Sequence, residues 1–373
     1  MRSNFVNLST FVLVFIYHTK NTMNNKEMVD EAVSILSHLI SIPSVSRNEK
    51  EAADYIFNYL KEHGANPQRH CNNVWCEQPI AKENRPKLLL NAHIDTVKPA
   101  ASWQHNPFEP TIENGRLYGL GSNDCGGGLV SLMLTYLSLQ NEKSLPYHLV
   151  FLASAEEEVS GKNGIEAALP LLPPIDVAMV GEPTGMQPAI AEKGLMVLDC
   201  TAHGVSGHAA RNEGVNAIYK AMKNVEWFST YHFKEQTELL GPVKMTVTII
   251  QAGTQHNVIP DTCTFTVDVR ANECYTNEEI LSLVRQHVDC DVQPRSTRLH
   301  SSQISVEHPL VQVAIAQGRK PFGSPTLSDQ ALMRFPSFKM GPGQSSRSHT
   351  ADEYICLEEI DDALTTYRKM ILG

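Results

Sequence analysis

The amino-acid sequence predicts an α/β fold, in which a doubly wound, mostly parallel sheet carries an inserted α+β domain. Up to about residue 193, buried apolar strands alternate with helices, which is the pattern of a parallel sheet covered on both faces. From residue 194 the strands alternate between apolar and polar positions, as antiparallel strands with one solvated face do. The first pattern then returns. We therefore expect a main domain at 23–193 and 303–373 and an insert at 194–302.

The periodicity of apolar residues predicts the individual elements. In the main domain, helices are predicted at 26–39, 49–63 and 126–139, and strands at 73–77, 87–97, 147–154 and 175–180. In the insert, strands are predicted at 195–202, 244–252 and 262–270, and helices at 216–229 and 277–287. The prolines and glycines of the stretch 103–119 predict irregular structure there. The insert thus has the β-α-β-β-α order of a small α+β domain.

Composition excludes some classes of partner. The chain of 373 residues has 31 basic and 41 acidic side chains and a net charge of -10, with no basic stripe that would bind nucleic acid. Its eight cysteines lack Cys-x-x-Cys spacing, which favours reduced thiols and a cytoplasmic location. The apolar run 11–16 is too short to cross a membrane, which takes roughly 20 residues. We expect residues 1–22 to be a disordered extension, with a degenerate export signal as the alternative.

A histidine and an aspartate lie at the end of the buried strand predicted at 87–97. Residues i and i+2 of an extended chain point to the same side, so His93 and Asp95 face one point. One imidazole nitrogen could bind a metal while the Asp95 carboxylate holds the other nitrogen and fixes the tautomer. A hydrogen-bonded histidine at a strand end is the alternative, and this pair alone does not decide between the two.

Further carboxylates and a second histidine follow other predicted strands and turns. Asp124 lies in a glycine-rich turn that opens a helix, where it could bridge two cations or cap the helix. The acidic triplet 156–158 comes directly after a buried strand, although such runs usually lie on the surface. Glu182 follows the strand at 175–180, and His349 lies in a late loop. Two histidines and three carboxylates suit a pair of Zn²⁺ ions bridged by one aspartate.

Taken in order, the motifs of residues 28–373 resemble those of the M20 family of zinc-dependent amidohydrolases and exopeptidases, in its acetylornithine deacetylase branch. The ordered motifs are His-x-Asp-Thr-Val from His93, Gly-x-x-Asp-x-Gly-Gly around Asp124, Glu157-Glu158, Gly-Glu-Pro-Thr at Glu182, Gly-x-x-Gly-His ending at His208, Asn-x-Ile-Pro from Asn257, and Gly-Pro-Gly followed by His-x-x-Asp-Glu-Tyr from His349. Each motif is weak alone, but the ordered set is specific.

The resemblance implies a role for each matching residue. It implies two Zn²⁺ ions, replaceable by Co²⁺, with Asp124 bridging them and the metal ligands His93, Asp124, Glu158, Glu182 and His349. The implied catalytic residues are Glu157 as general base, Asp95 as the orienting partner of His93, and His208 as oxyanion donor. The implied substrate-binding residues are Asn257 and Arg270. It also implies that the insert is a ferredoxin-like dimerisation and lid domain, which lends His208 to the other chain of a homodimer. A cis peptide bond after Asp124 is a further expectation.

The reaction expected from this resemblance is hydrolysis of the amide of an N2-acylated amino acid, with N-acetylornithine in arginine biosynthesis as the first choice. N-succinylornithine and the acylated citrullines remain open, since Arg211, Arg334 or Arg347 could provide the cation that a succinyl carboxylate needs. Succinyl-diaminopimelate desuccinylase and dipeptidase are the alternatives within the family. A non-catalytic binding protein on the same fold is the rival from another class, but it would not need a general base beside a metal pair.

Overall fold

The computed structural model describes residues 24–79 and 85–373, so the predicted extension at 1–22 lies outside the described residues. The helices, numbered along this part of the chain, are α1 (Asn25–Ile40), α2 (Lys50–Glu62), α3 (Gly127–Leu139), α4 (Ile165–Ala168), α5 (Ala217–Thr230), α6 (Asn277–His287), α7 (Pro309–Ala316) and α8 (Leu357–Leu372). Among the described residues, no helix has both the length and the apolar character that crossing a membrane requires.

The strands, numbered in the same way, belong to four sheets. They are β1 (Gln68–His70), β2 (Asn73–Glu77), β3 (Lys87–His93), β4 (Thr111–Glu113), β5 (Arg116–Tyr118), β6 (His148–Ser154), β7 (Val177–Val180), β8 (Ala189–Glu192), β9 (Met196–His203), β10 (Gly207–His208), β11 (Lys244–Ala252), β12 (Val258–Ile259), β13 (Thr262–Arg270), β14 (Asp291–Pro294), β15 (Ser302–Gln303), β16 (Phe322–Ser324), β17 (Ser337–Lys339) and β18 (Tyr354–Cys356).

The largest sheet has the strand order β1-β2-β6-β3-β7-β17-β8-β15, and β16 also pairs with β8. Its centre is parallel, because β3 pairs in parallel with β6 and β7, and β17 pairs in parallel with β7. This confirms the predicted α/β fold. Both edges are antiparallel instead. At one edge the reason is local, since a two-residue connection between β1 and β2 can join only antiparallel strands.

The central strands of this sheet are apolar on both faces because helices cover both. Along β3, Leu88 and Leu90 contact the cluster formed with α1, α2, α3 and α8, and Leu89 contacts the cluster formed with α4 on the other face. All three leucines are fully buried. The continuous apolar run that predicts this strand therefore follows from its position between two layers of helices.

A second, antiparallel sheet has the order β11-β13-β9-β14 and packs against α5 and α6 around its own hydrophobic core. Buried and half-buried residues alternate along β9, as the sequence pattern predicts for a strand with one solvated face. All its strands fall between residues 196 and 294, whereas the strands of the largest sheet fall at 68–192 and 302–339. The small ladder of β10 and β12 extends from this second layer and carries His208.

The predicted irregular stretch 103–119 contains a hairpin that the sequence interpretation missed. Strands β4 and β5 pair across the two-residue turn Asn114–Gly115, and β18 pairs with β5. Both turn residues have positive φ, 51° and 74°, as a type I′ turn requires. The Asn-Gly pair was the available signal for this hairpin.

Candidate active site

The parallel centre of the largest sheet brings the sequence-predicted site residues to one edge. His93 ends β3, Glu157 and Glu158 follow β6, and Glu182 follows β7. Since β6, β3 and β7 are adjacent and parallel, their carboxyl ends open onto the same crevice. These residues, together with Asp124 and His349, form what we call the histidine–carboxylate cluster.

His93 is the buried centre of this cluster, with 2% of its surface exposed. Its Nε2 lies 3.2 Å from Asp124 Oδ1 and 3.7 Å from Glu182 Oε1. Its Nδ1 lies 2.8 Å from the carbonyl oxygen of Asp95. Since a carbonyl only accepts, Nδ1 donates to it, and Nε2 is the ring nitrogen that faces the carboxylates.

Asp95 orients His93 differently from the sequence-based expectation. Its backbone carbonyl, and not its carboxylate, holds Nδ1, and the nearest carboxylate oxygen lies 3.7 Å away. The carboxylate instead accepts hydrogen bonds from the backbone N–H groups of Glu157 and Glu158, at 3.0 and 3.2 Å, and from Ser46 Oγ at 2.7 Å. Hydrogen bonds from backbone N–H groups to an ionised carboxylate are stronger than those between neutral groups, so they hold Asp95 firmly on this turn. Asp95 thus fixes both the histidine and the acidic turn.

Asp124 lies between the two histidines of the cluster. One carboxylate oxygen is 3.2 Å from His93 Nε2, and the other is 3.6 Å from His349 Nε2. The expected cis peptide bond to Cys125 is present. The buried carboxylate of Glu353 holds the turn, because it accepts the backbone N–H groups of Gly121, Asn123 and Asp124 at 3.0, 2.9 and 2.8 Å. This is the geometry of a bridging carboxylate on a fixed turn.

His349 and Glu158 form the other side of the cluster. His349 Nε2 lies 3.0 and 3.1 Å from the two carboxylate oxygens of Glu158. The Glu157 side chain, by contrast, makes no hydrogen bond with either histidine among the described residues, although it lines the same cleft. The geometry is therefore compatible with Glu158 as a ligand and with Glu157 as a base that keeps its lone pairs free.

The electrostatics of the cluster are those of acids crowded together without enough positive charge. Burial raises the pKa of Glu157 well above its ordinary value, although His93 opposes the shift. Burial and the neighbouring Asp124 raise the pKa of Glu182 to about 8. Burial also raises the pKa of Asp124, but the hydrogen bond and the charge of His93, together with Ser348 and His349, outweigh it, and the net shift is downward. Most of these acids therefore need a further cation in order to ionise, and residues 24–79 and 85–373 do not supply enough positive charge.

The donor set fits divalent metal ions. Ligand atoms of His93, Asp124 and Glu158 lie within 4.8 Å of one another, as do those of His93, Cys125 and Glu182. Glu182 Oε1 is buried and has no hydrogen-bond partner among the described residues, as an atom reserved for a metal would be. The Cys125 sulfur is less suitable as a ligand, because it accepts the His93 N–H at 3.2 Å and burial raises the pKa of the thiol.

A cleft of about 500 Å³ opens beside the cluster, and sequence reasoning missed one important residue of its wall. Lys339, on β17, is almost fully buried. Its Nζ lies 3.2 Å from Glu192 Oε2 and donates to the carbonyl oxygen and Oγ1 of Thr326, at 3.0 and 2.9 Å. Glu192 also accepts from Ser328 and Gln330. A lysine between Phe338 and Met340 in an apolar segment was the available signal.

The three site residues expected from the insert lie apart from the cluster. His208 is exposed, and its Nδ1 accepts the N–H of Ala210 at 3.1 Å. The backbone carbonyl of Asn257 accepts from the residue after His208, whereas Arg270 makes a two-pronged ion pair with Asp268. Within 24–79 and 85–373, no hydrogen bond or ion pair joins these three to the cluster. Their predicted roles therefore require either closure of the insert or a second chain.

The fold and the cluster define this protein as a metal-dependent hydrolase. A family model described as peptidase family M20/M25/M40 matches residues 89–373, and the chain belongs to this family. It is 26% identical to a succinyl-diaminopimelate desuccinylase of Corynebacterium glutamicum, over 92% of this chain and 97% of the relative. It is 27% identical to a [LysW]-lysine/[LysW]-ornithine hydrolase of Sulfurisphaera tokodaii, over 89% and 92%.

Two solved structures share the fold. The aminopeptidase PepT of Bacillus cereus has a TM-score of 0.74 at 18% identity and covers 94% of this chain and 99% of its own. A Bacillus subtilis protein described as a dinuclear metal-binding peptidase of the M20 family has a TM-score of 0.72 at 17% identity, covering 93% and 98%. The family expected from the motifs is thus confirmed, while the relatives do not single out its acetylornithine deacetylase branch.

Proposed function

We propose that this chain hydrolyses the amide bond of an N-acylated amino acid with the help of two zinc ions, and that an N-succinylated diamino acid is its substrate. The histidine–carboxylate cluster at the mouth of the cleft carries the proposal, because a binding protein would not need uncompensated acids there. The succinyl preference is supported by the relatives, among them desuccinylases from Corynebacterium glutamicum and Ruegeria that align with more than nine-tenths of this chain.

Each residue of the cluster has one task in this proposal. His93 and Glu182 would hold one ion, Glu158 and His349 would hold the other, and Asp124 would contribute to both sites. When bound, the ions act as Lewis acids, which makes water more acidic and polarises a carbonyl. Glu157 lines the cleft, and its carboxylate is not hydrogen-bonded to either histidine. It accepts the proton of the attacking water and then gives that proton to the departing amine. Asp95 keeps His93 and the acidic turn in register.

His208 is the proposed donor to the oxygen of the scissile carbonyl. Because its Nδ1 accepts the N–H of Ala210, the neutral ring carries its hydrogen on Nε2, which points away from that bond and can donate. A donor aimed at a developing oxyanion contributes about 2.7–4 kcal/mol to the lowering of the barrier. We further propose that Asn257 and Arg270 contact the main chain or the carboxylate of the substrate.

His208 reaches a site in a homodimer formed through the insert. Strand β11 is an edge strand of the second sheet, and its Ile249 and Ile250 are about half exposed. Met222 and Tyr219 on α5 are also exposed. An apolar edge strand is a template for pairing with another chain, and a second copy offers the same strand across a two-fold axis. We propose that in such a dimer the insert of one chain covers the cleft of the other.

N-acetylornithine or N-acetylcitrulline, in arginine biosynthesis, is the second candidate substrate. It is favoured by one observation on the cleft wall: Lys339 is already engaged by Glu192 and Thr326, so this cation is not available to a succinyl carboxylate. An uncharged acetyl group would need no such partner.

A substrate panel tests the proposal. Purified protein is assayed for amine release from N-succinyl-diaminopimelate, from the N2-succinyl and N2-acetyl derivatives of ornithine and citrulline, and from an unmodified dipeptide, each with and without chelator. We expect chelator-sensitive hydrolysis that is fastest with a succinyl compound. Hydrolysis of the dipeptide alone would assign a peptidase, and hydrolysis of none of the amides would overturn the proposal.

A further inference from the structure

We propose that Arg211 is a specificity-determining residue, which binds the free carboxylate of the substrate's acyl group in the active site of the partner chain. This inference rests on the proposed function and on the shared site. It deepens both, because it names the group that distinguishes a dicarboxylic acyl chain, such as succinyl, from acetyl.

The other cations near the cleft or the motifs are already occupied. Arg347 makes two hydrogen bonds with Glu359, at 2.7 and 3.1 Å, and stacks on Tyr354 with its guanidinium carbon 4.5 Å from the ring centre. Lys339 directs its ammonium group at Glu192 and Thr326, which use its three hydrogens. Neither cation can bind a substrate carboxylate without breaking these contacts.

Two further arginines fail for other reasons. Arg334 lines a separate hollow with His300 and Glu279 and does not line the cleft beside the cluster. Arg270 is paired with both oxygens of Asp268, and the proposed function already assigns it to the main chain or the carboxylate of the amino-acid part of the substrate. A substrate with a second carboxylate therefore needs a cation from elsewhere in the assembly.

Arg211 is free to supply that cation. Its side chain is 72% exposed, and its ion pair with Glu213 is loose, with Nη1 3.8 Å from Oε1. Its planar guanidinium can donate to both oxygens of a carboxylate at once. The exposed ion pair with Glu213 contributes little to stability, so a substrate carboxylate can replace Glu213 at low cost.

The turn that carries Arg211 also carries His208. The Arg211 N–H donates to the His208 carbonyl oxygen at 2.9 Å. The Glu213 oxygen that faces the Arg211 guanidinium also accepts the His208 N–H, at 3.3 Å. The same short turn thus carries both the imidazole of His208 and the guanidinium group of Arg211.

This arrangement matches the chemistry of a succinyl amide. Its scissile carbonyl, proposed to accept from His208, is separated by two methylene groups from a free carboxylate. An acetyl amide has the first group and lacks the second. When this turn enters the partner's cleft, Arg211 arrives together with His208 and distinguishes the two acyl groups by charge.

The test compares kcat/KM for the N2-succinyl and N2-acetyl derivatives of one amino acid. In Arg211→Met, we expect the succinyl value to fall roughly 10–100-fold while the acetyl value stays within about threefold of wild type, because only one substrate loses a charged partner. Arg211→Lys should restore part of the succinyl activity. Lys234→Met, which removes another exposed cation of the insert, is the matched control and should change neither value.

The outcomes separate this inference from the proposed function. If the wild type is active but keeps its succinyl-to-acetyl ratio in Arg211→Met, or loses both activities equally, the inference is overturned and the proposed function stands. If the wild type hydrolyses neither compound, both fall. Since Arg211 is exposed, the melting temperature of Arg211→Met should equal that of the wild type even though its activity on the succinyl compound falls.

Subunit exchange tests whether Arg211 acts across the interface. In a mixed dimer of Arg211→Met and Glu157→Gln chains, the site with an intact Glu157 receives the intact Arg211 of the other chain. We expect succinyl activity to rise on mixing. No rise, with exchange confirmed independently, would overturn the placement of Arg211 in the partner's site.

Discussion

Glu157 and Glu158 are adjacent in the chain, yet their side chains have different surroundings. Glu158 contacts His349, whereas Glu157 contacts neither histidine through a hydrogen bond. We therefore predict that Glu157→Gln keeps both metals and loses activity by about 10²–10⁴-fold, the usual cost of removing a general base. Metal content and kcat of the purified variant give the result.

Glu158→Gln is the matched control for this prediction. It should lose metal, because the amide replaces a charged oxygen beside His349. If Glu157→Gln is the variant that loses a metal ion and Glu158→Gln keeps both, the two roles are reversed.

Asp329 lies behind the cluster and makes a pH-dependent contribution to stability. Burial raises its pKa to about 6, although Ser154 Oγ donates to it at 2.5 Å and lowers the value. Because the pKa in the folded state lies above the ordinary value near 3.8, the folded state binds this proton more tightly than the unfolded state does. The contribution of this carboxyl group to the free energy of unfolding is therefore fully present below its ordinary pKa, and it is lost as pH rises through about 6.

The Asp329→Asn variant should remove this dependence. In metal-free protein, the free energy of unfolding of the wild type should decline relative to that of Asp329→Asn between pH 4.5 and 7.5, by about 1–2 kcal/mol. Urea unfolding at both pH values measures the difference, and the exposed Asp30→Asn serves as the control. A wild type that gains stability relative to Asp329→Asn as pH rises would contradict the assignment.

Individual site residues could be predicted where a polar group directly follows an apolar strand, as His93 and Glu182 do. The hydrogen-bonding atom could not be predicted for Asp95, because carbonyl and carboxylate lie on the same residue and only backbone geometry decides between them. Lys339 was missed because its ion-pair partner Glu192 and its hydrogen-bond partner Thr326 are distant in sequence.

The turn 121–125 is the element whose shape matters most for the cluster, and Glu353 fixes it with three hydrogen bonds to backbone N–H groups. Glu353→Gln keeps the volume but turns an NH₂ group toward N–H donors, so the turn should shift. We predict that metal affinity falls roughly 10–100-fold, as it does when residues that support ligands are replaced. Competition with a chromogenic chelator measures the affinity.

The exposed Glu358→Gln, five residues further along, is the control for Glu353→Gln and should leave metal affinity unchanged. Equal affinity in wild type and Glu353→Gln would show that the turn keeps its shape without this carboxylate.

Most long elements could be predicted from periodicity alone. Helix α6 and strands β2, β11 and β13 occupy the predicted residues. Helix α6 and strand β13 each bury an apolar face in the core of the second layer, and β2 is buried in the main sheet, whereas β11 is an edge strand that is mostly exposed. The short strands β4 and β5 could not be recognised from periodicity, since three residues do not establish a period. The antiparallel edges of the main sheet were also missed, because strand direction depends on connections and neighbours more than on the composition of a strand.

At the scale of the whole molecule, the proposed dimer predicts complementation between two inactive chains. His208→Ala and Glu157→Gln should each be nearly inactive. After subunit exchange about half of the dimers are mixed, and each mixed dimer has one site with both groups intact, so activity should return to roughly a quarter of wild type. A mixture that stays inactive after verified exchange would place His208 in the site of its own chain.

Metal removal tests the proposed chemistry most directly. Of the proposed ligands, His93, Glu158 and Glu182 come from the ends of three strands of the main sheet, and Asp124 and His349 come from loops. The chain has two large hydrophobic cores of its own, so the fold should not depend on metal as a zinc finger's does. After exhaustive dialysis against chelator, we predict a protein that unfolds cooperatively but hydrolyses no N-acyl amide, and that regains activity with two equivalents of Zn²⁺ or Co²⁺. A chain shown by elemental analysis to be free of metal, yet as active as before dialysis, would contradict the mechanism.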